Sequence, residues 1–341
     1  MEYATLGKTG LKVSRLGFGG IPIQRISQEE AVALIRKLPD YEVNYIDTAR
    51  GYSVSEEYIG AAIEDIRDKF ILATKSMART KEAMAADIDI SLRNLRTEHI
   101  DLYQVHFVTN EALDQIVAPG GALEALQEAK AAGRIGHLGL TTHEASVFER
   151  ALEMDWVEAV MFPYNFIEVQ GEELIKKAAE KNVGVVAMKP LAGGAIEEVD
   201  LTMRFIASNP GISVNIPGMA SEEELKQNVA ASLNASPLTA AELAKVQEIR
   251  DALGNQFCRR CNYCQPCTKG INISFCFSIN GYLTRYDLAE WALSRYNGLA
   301  VKPGECIECG ACEPRCPYQL PIIDMLKDVS RNFEGYIASR A

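Results

Sequence analysis

Eight short apolar segments, separated by longer amphipathic ones, occupy residues 12 to 234, and this alternation constrains the fold more than any other feature. The strand candidates are VSRLGFGG (13–20), NYIDT (44–48), FILATK (70–75), IDLYQVH (100–106), IGHLGLT (135–141), AVMFP (159–163), VGVVAMKP (183–190) and ISVNIPG (212–218). Between them run helical patterns such as EEAVALIRKL (29–38), EEYIGAAIEDI (56–66), ALEALQEAKAAG (122–133) and EELIKKAAEKN (172–182). Short strands alternating with helices imply βαβ units and a parallel sheet. Eight of them predict an α/β fold, a (β/α)8 TIM barrel over residues 1–234. A doubly wound open sheet is the alternative, with the GFGG at Gly17 as its dinucleotide fingerprint. The G-x-G-x-x-G spacing and a helix opening directly from it are both missing, which favours the barrel.

At 341 residues the chain exceeds the usual single-domain size, so a second, smaller domain is expected. The net charge of −11 argues against a nucleic-acid or anionic-membrane partner, either of which requires a clustered positive face. No apolar run approaches the roughly 18–20 residues of a membrane span. The opening MEYATLGKTGLKVSRLG lacks the apolar stretch of a signal peptide, and a cytoplasmic protein is expected.

In parallel barrels chemistry gathers at the C-terminal ends of the strands. Asp47 ends the second strand candidate, with Tyr52 in the loop beyond it; Lys75 ends the third and His106 the fourth. Singly, each has a plain structural role: a turn cap, a packed ring, a solvated amine, a core histidine. Converging on one barrel mouth, they form a site. A tyrosine beside a lysine that is paired with a carboxylate has its phenolate favoured. That makes it a usable proton donor near neutral pH, with a histidine to orient the substrate oxygen.

These residues carry a resemblance. With LGKTGLKVSRLGFGG, NYIDTARGY, ILATK, DLYQVH, GRIGHLGLTTH, PYN, KPLAGG and IPG followed by Asn228, residues 1–234 resemble the aldo-keto reductase family. The resemblance implies that Asp47, Tyr52, Lys75 and His106 are the catalytic tetrad. It further implies that Tyr52 protonates a carbonyl oxygen while nicotinamide delivers hydride to the carbonyl carbon, or the reverse with an alcohol. The implied cofactor pocket departs from the family at several places. Thr141, Thr142 and Met161 stand where Ser, Asn and Gln hold the carboxamide, and Met188 stands where a tyrosine stacks on the ring, with Pro190 and Leu191 just beyond. His143 and Lys189 are expected as pocket-lining or surface residues. At the adenosine end, Gly218 and Glu224 replace the basic residues that grip a 2′-phosphate. A carboxylate repels phosphate and accepts from a ribose hydroxyl, which predicts a preference for NAD(H) over NADP(H). SEEELKQN also reads as an N-capped helix with acids in its first turn.

All nine cysteines lie from Cys258 onward. Clustered cysteines in a cytosolic chain point to metal or redox chemistry rather than disulfides. TAAELAKVQEIRDAL (239–253) reads as a connecting helix within a linker over 235–255, and residues 256–341 as the second domain. Cys258, Cys261, Cys264 and Cys267 form one run; Cys306, Cys309, Cys312 and Cys316 form another, with Pro317 after it. Such runs are the thiolate pattern of [4Fe–4S] clusters, in which three close cysteines and a remote one hold the cube. Zinc is the competing reading of C-x2-C pairs. The segment resembles a two-cluster ferredoxin module. Because GYLTRYDLAEWALSRYNG between the runs reads as helical, the all-helical variety fits. The resemblance implies two [4Fe–4S] clusters with exchanged fourth ligands: Cys258, Cys261, Cys264 and Cys316 on one, Cys306, Cys309, Cys312 and Cys267 on the other. In the first run two residues rather than three precede the last cysteine, and Pro266 precedes it. Cys276 is left as a small buried residue.

The whole chain thus resembles aldo-keto reductase-like oxidoreductases with a C-terminal 4Fe–4S ferredoxin domain. Hydride carries two electrons and a cluster passes one, so coupling them calls for a flavin, for which no motif is present, or a redox partner protein. The reading favoured is a carbonyl reductase, acting on a small carbonyl or alcohol, that exchanges electrons with its clusters. Structural or oxygen-sensing clusters, and an electron-transfer protein with a non-catalytic barrel, are the alternatives. Arg50 and Arg79, in loops at the mouth, are candidate anion contacts or solvated surface groups.

Overall fold

The computed structural model describes residues 1–340 and divides into two compact units. The first comprises residues 1–192 and 196–238; the second comprises the chain from Thr239 together with Gly193–Ala195. The division falls between Leu238 and Thr239, so the connecting helix belongs with the cysteine-bearing unit.

The first unit opens with an antiparallel hairpin, β1 (Tyr3–Thr5) and β2 (Lys12–Ser14). Eight parallel strands follow: β3 (Phe18–Gly19), β4 (Tyr45–Asp47), β5 (Ile71–Ser76), β6 (Ile100–Val105), β7 (Ile135–Thr141), β8 (Ala159–Pro163), β9 (Gly184–Met188) and β10 (Val214–Ile216). Each pairs with the next in sequence. Parallel bridges from Leu16 to Asn215 and from Gly19 to Gly218 close the ring. Here the GFGG acquires its physical role. A Cβ on Gly19 would sit 2.8 Å from the Pro217 carbonyl oxygen, so glycine lets the first and last barrel strands meet.

The segment expected as one strand over 13–20 is two elements. Ser14 is held by Asn44, whose Oδ1 accepts from the Ser14 N–H at 2.7 Å, and the chain breaks there between hairpin and barrel. Between the strands lie α1 (Gln28–Ile35), α2 (Ser55–Ile63), α3 (Lys81–Asn94), α4 (Asn110–Val117), α5 (Ala122–Ala131), α6 (Ala145–Ala151), α7 (Glu172–Glu180), α8 (Val199–Ala207) and α9 (Glu222–Leu233). The first of these stops at Ile35, short of the expected 38, and a 3-10 turn over Leu38–Tyr41, with Pro39 in its first turn, takes over.

Two apolar layers result. Leu34, Ile46, Leu72, Phe148 and Ile175 pack between sheet and helices. Tyr45, Ala73, Leu102, Met161, Val186 and Val214 fill the barrel interior, with Leu6 and Val13 of the hairpin in the same cluster.

The second unit is helical: α10 (Ala240–Leu253), α11 (Ile273–Thr284), α12 (Ala289–Asn297) and α13 (Ile322–Ala338). The helix expected over 281–298 is divided: α11 ends at Thr284, Arg285 and Leu288 leave helical backbone, and Asp287 between them takes φ 53°. Ile273, Cys276, Ile279, Leu326, Val329 and Phe333 form its core, and the Tyr296 and Phe333 rings stack at 4.2 Å. Among the described residues no helix is long and apolar enough to cross a membrane.

Candidate functional site

Strand parity brings the barrel site together. Side chains alternate across a strand, so Tyr45 and Asp47 share one face, as do Ala73 and Lys75, and Leu102, Gln104 and His106. Tyr45, Ala73 and Leu102 belong to the interior cluster. Asp47, Lys75 and His106 therefore lie on inward-facing positions at the C-terminal ends of adjacent strands. Tyr52 reaches them from the loop before α2, where its N–H donates to the Ala49 carbonyl and its carbonyl accepts from Ser55 N–H.

Lys75 and Asp47 are 1% and 2% exposed and form a buried ion pair, with Nζ 2.5 Å from Asp47 Oδ2 and 2.7 Å from the Thr48 carbonyl oxygen. Burial pushes Asp47 up and Lys75 down; their mutual attraction opposes both shifts, and Gln104 beside the carboxylate assists on the Asp47 side. The Lys75 ammonium lies 4.9 Å from the centre of the Tyr52 ring. The rings of Tyr52 and His106 meet edge to face, with centroids 5.8 Å apart at 85°. The four predicted residues thus stand together at the barrel mouth.

Behind them is a buried carboxylate that the sequence reading passed over. Glu56, 1% exposed, accepts from Thr74 Oγ1 and Ser91 Oγ at 2.8 Å and pairs with Arg50 at 2.7 Å. Arg50 also faces Asp87 at 3.6 Å. Arg79 donates to the carbonyls of His106 and Phe107 at 2.7 and 3.0 Å. Both arginines brace the loops carrying Tyr52 and His106, which corrects their reading as solvated surface groups. Alternation on β6 was the available signal for Gln104; no sequence signal marks Glu56.

The other pocket positions divide. Thr141, Met161 and Met188 are buried at the inward ends of β7, β8 and β9. Thr141 Oγ1 accepts from the Phe107 N–H at 2.8 Å, and its own O–H remains to donate. Thr142 Oγ1 donates to the Val108 carbonyl and accepts from the Glu144 N–H, so this hydroxyl is spent on the loop rather than the pocket. His143 packs its ring on Phe107 at 5.3 Å. Lys189 adopts φ 55° at the turn after β9, where Pro190 is buried and Leu191 half-buried.

At the far side, Glu224 caps its own helix by accepting from the Ala220 N–H and pairs with Arg25 at 3.1 Å. A side chain at Gly218 would meet Pro22 at 2.6 Å, which explains why no basic residue stands there. Asn228 donates to the Glu224 carbonyl, while its buried Oδ1 has no partner among the described residues. An orphaned acceptor there suits an amino group such as that of adenine.

In the second unit the cysteines line two small cavities. Cys258, Cys261, Cys264 and Cys316 surround one; Cys267, Cys306, Cys309 and Cys312 surround the other. Each group draws three members from one run and one from the other. Burial pushes Cys258 up to about 11 and Cys264 to about 12, and the neighbouring thiols add to the shift. Cys276 lines neither cavity and is fully buried in the core. Among the described residues no group of three or more His, Cys, Asp or Glu side chains is arranged to hold a single metal ion.

Comparison with known proteins bears on the barrel. The sequence profile of the Aldo/keto reductase family matches residues 15–200. L-galactose dehydrogenase of Arabidopsis thaliana is 26% identical over 309 residues, covering 75% of this chain and 96% of that protein. An uncharacterized oxidoreductase of Bacillus subtilis, YqkF, is 26% identical over 300 residues, covering 72% and 96%. Among solved structures, the holo form of aldo-keto reductase AKR11C1 from Bacillus halodurans superposes with a TM-score of 0.64 at 25% identity, covering 73% of this chain and 96% of that one.

Proposed function

The chain belongs to the aldo/keto reductase family and is an oxidoreductase of that type, and on that premise we propose that its barrel interconverts a small carbonyl and its alcohol with a nicotinamide cofactor. Bound there, the cofactor supplies or takes up the hydride. Tyr52 donates the phenolic proton to the carbonyl oxygen as that oxygen gains charge. Lys75 holds positive charge 4.9 Å from the Tyr52 ring centre, which stabilises the phenolate left behind. Asp47 keeps that cation in place inside the barrel, and His106, edge-on to Tyr52, orients the substrate oxygen. The carrying observation is the Asp47–Lys75 pair buried directly beneath the Tyr52 ring. Thr141, Met161, Met188, Pro190 and Leu191 would line the nicotinamide end, and Asn228 the adenine end. Glu224 favours NAD(H) over NADP(H) at the ribose beside Gly218.

The second unit, in this reading, is a ferredoxin-like iron–sulfur domain passing electrons singly. Support comes from the sorting of eight thiols into two cavities, three from one run and one from the other, which is the exchanged-ligand arrangement of two-cluster ferredoxins.

Replacing Tyr52 by Phe tests the barrel. Carbonyl reduction should be lost while the clusters of the same protein still bleach with dithionite. Undiminished turnover would remove Tyr52 from the chemistry.

A further inference from the structure

The second unit holds a third cavity besides the two lined by four cysteines. It is a cleft of about 550 Å³, within the roughly 300–1,000 Å³ range of small-molecule sites and far too large for a single ion. It shares a wall with the cavity of Cys258, Cys261, Cys264 and Cys316, because Cys258 and Phe277 line both. A molecule in the cleft would therefore adjoin that thiol group through Cys258 itself.

The lining has a distinct chemistry. Arg260 and Arg285 bring two guanidinium groups to it, close enough that the Arg260 charge, after desolvation, helps hold Arg285 below the usual arginine range. Among the described residues Arg285 has no carboxylate partner, and its Nε donates to the Gly193 carbonyl at 2.9 Å. The acids of the cleft, Asp324 and Asp328, are exposed on α13 and turn to Lys327 and Arg331. Phe277 and Met325 offer flat and polarizable apolar surface, on which a planar ring packs well, while Phe257 carries the Arg260 guanidinium 5.3 Å from its ring centre. Asn280 and Asn332 present carboxamides at the wall, joined to each other at 2.9 Å, with donors and acceptors remaining for the edge of a heterocycle. Finally, the Arg260 N–H donates to Cys258 Sγ at 3.4 Å, so the residue that faces the cleft also touches a thiol of the neighbouring group.

We propose that this cleft binds a planar, phosphate-bearing redox cofactor of the flavin mononucleotide class, with Arg260 and Arg285 on the phosphate and the isoalloxazine against Phe277 and Met325. The inference rests on the reading of the cysteine groups as cluster sites, since it is the adjoining one-electron centre that gives a ring of this type a purpose here.

The test is a titration of the full-length, anaerobically purified protein with FMN and, separately, with riboflavin, followed by flavin fluorescence, alongside iron analysis of the same preparation. FMN should be bound and quenched, and riboflavin, which lacks the phosphate held by both arginines, should bind at least about tenfold more weakly. The Arg285→Gln variant, with an unchanged circular dichroism spectrum, should keep only the part of that preference that Arg260 supplies. No quenching by FMN in iron-loaded protein overturns the cleft and leaves the clusters standing. Arg285-dependent FMN binding in iron-free protein upholds the cleft and removes the clusters. Displacement of FMN by AMP at equal affinity makes the cleft a general phosphate site and overturns the flavin assignment.

Discussion

The Lys75 ammonium is 2.5 Å from Asp47 Oδ2 and 4.9 Å from the centre of the Tyr52 ring, so one buried cation serves both a structural partner and a chemical one. The two duties can be separated. Lys75→Met should lower carbonyl reduction about a hundredfold or more, the scale of an assisted proton transfer. It should also cost about 3–5 kcal/mol of stability, because Asp47 is left as a buried unpaired charge. Adding Asp47→Leu removes that charge, and the double variant should recover most of the stability and none of the activity. Urea denaturation and steady-state turnover on the three proteins check this. Recovery of both properties in the double variant would show that the pair serves folding alone.

Glu224 and Arg25 face each other at 3.1 Å, both partly exposed. With its carboxylate in place, the pair presents no net positive charge to a ribose phosphate, and NADH should bind more tightly than NADPH. Glu224→Gln removes the carboxylate that faces Arg25. Affinity for NADPH should then rise about tenfold, or ~1.4 kcal/mol, with little change for NADH. Equilibrium titration of both nucleotides against both proteins measures it, and an unmoved NADPH affinity would take Glu224 out of the selection.

How far these sites could be read without coordinates follows from the range of the interactions involved. Asp47, Lys75 and His106 are legible because each ends an apolar strand, and parity alone turns them inward. The cysteine runs are legible because thiolate spacing is a local property. Glu56 was not, since its partners Thr74, Ser91 and Arg50 come from a strand, a helix and a loop whose juxtaposition is tertiary. Thr142 misled for a related reason. Its hydroxyl is committed to the Val108 carbonyl, 34 residues away in sequence. Arg25 beside Glu224, 199 residues apart, belongs to the same class. The break between α11 and α12 was missed because Arg285, Asp287 and Leu288 leave helical backbone within a stretch whose sequence pattern is helical.

Cys264 and Cys276 give a controlled comparison within one unit, both buried but only the first lining a four-cysteine cavity. On the proposed reading of the two four-cysteine groups as [4Fe–4S] sites, Cys264→Ala should reduce bound iron from about eight to about four per chain. Cys276→Ala should leave iron and acid-labile sulfide unchanged. Iron loss in the Cys276 variant, with its helix content intact, would show that the ligand groups have been drawn wrongly.

At the opposite end of the barrel from Tyr52, just before β8, Glu158 accepts from His137 Nδ1 at 2.7 Å and from the Leu138 N–H at 3.0 Å, and pairs with Lys130. Burial alone would raise its pKa, but these donors outweigh burial and hold the carboxyl below the usual range. A carboxyl whose folded value lies below its unfolded value binds protons more readily in the unfolded chain. Its contribution to stability is therefore complete above about pH 4.5, the ordinary glutamate range, and disappears as pH falls through the folded value. Glu158→Gln should lower stability at neutral pH and flatten the acid limb of the stability curve. Turnover under conditions where the variant is folded should match that of the parent, since bottom-face residues of such barrels serve stability rather than chemistry. Urea midpoints measured from about pH 7 down to about pH 3 decide it. Parallel curves for the two proteins would mean that Glu158 titrates alike in the folded and unfolded chains and that its donors hold nothing in place.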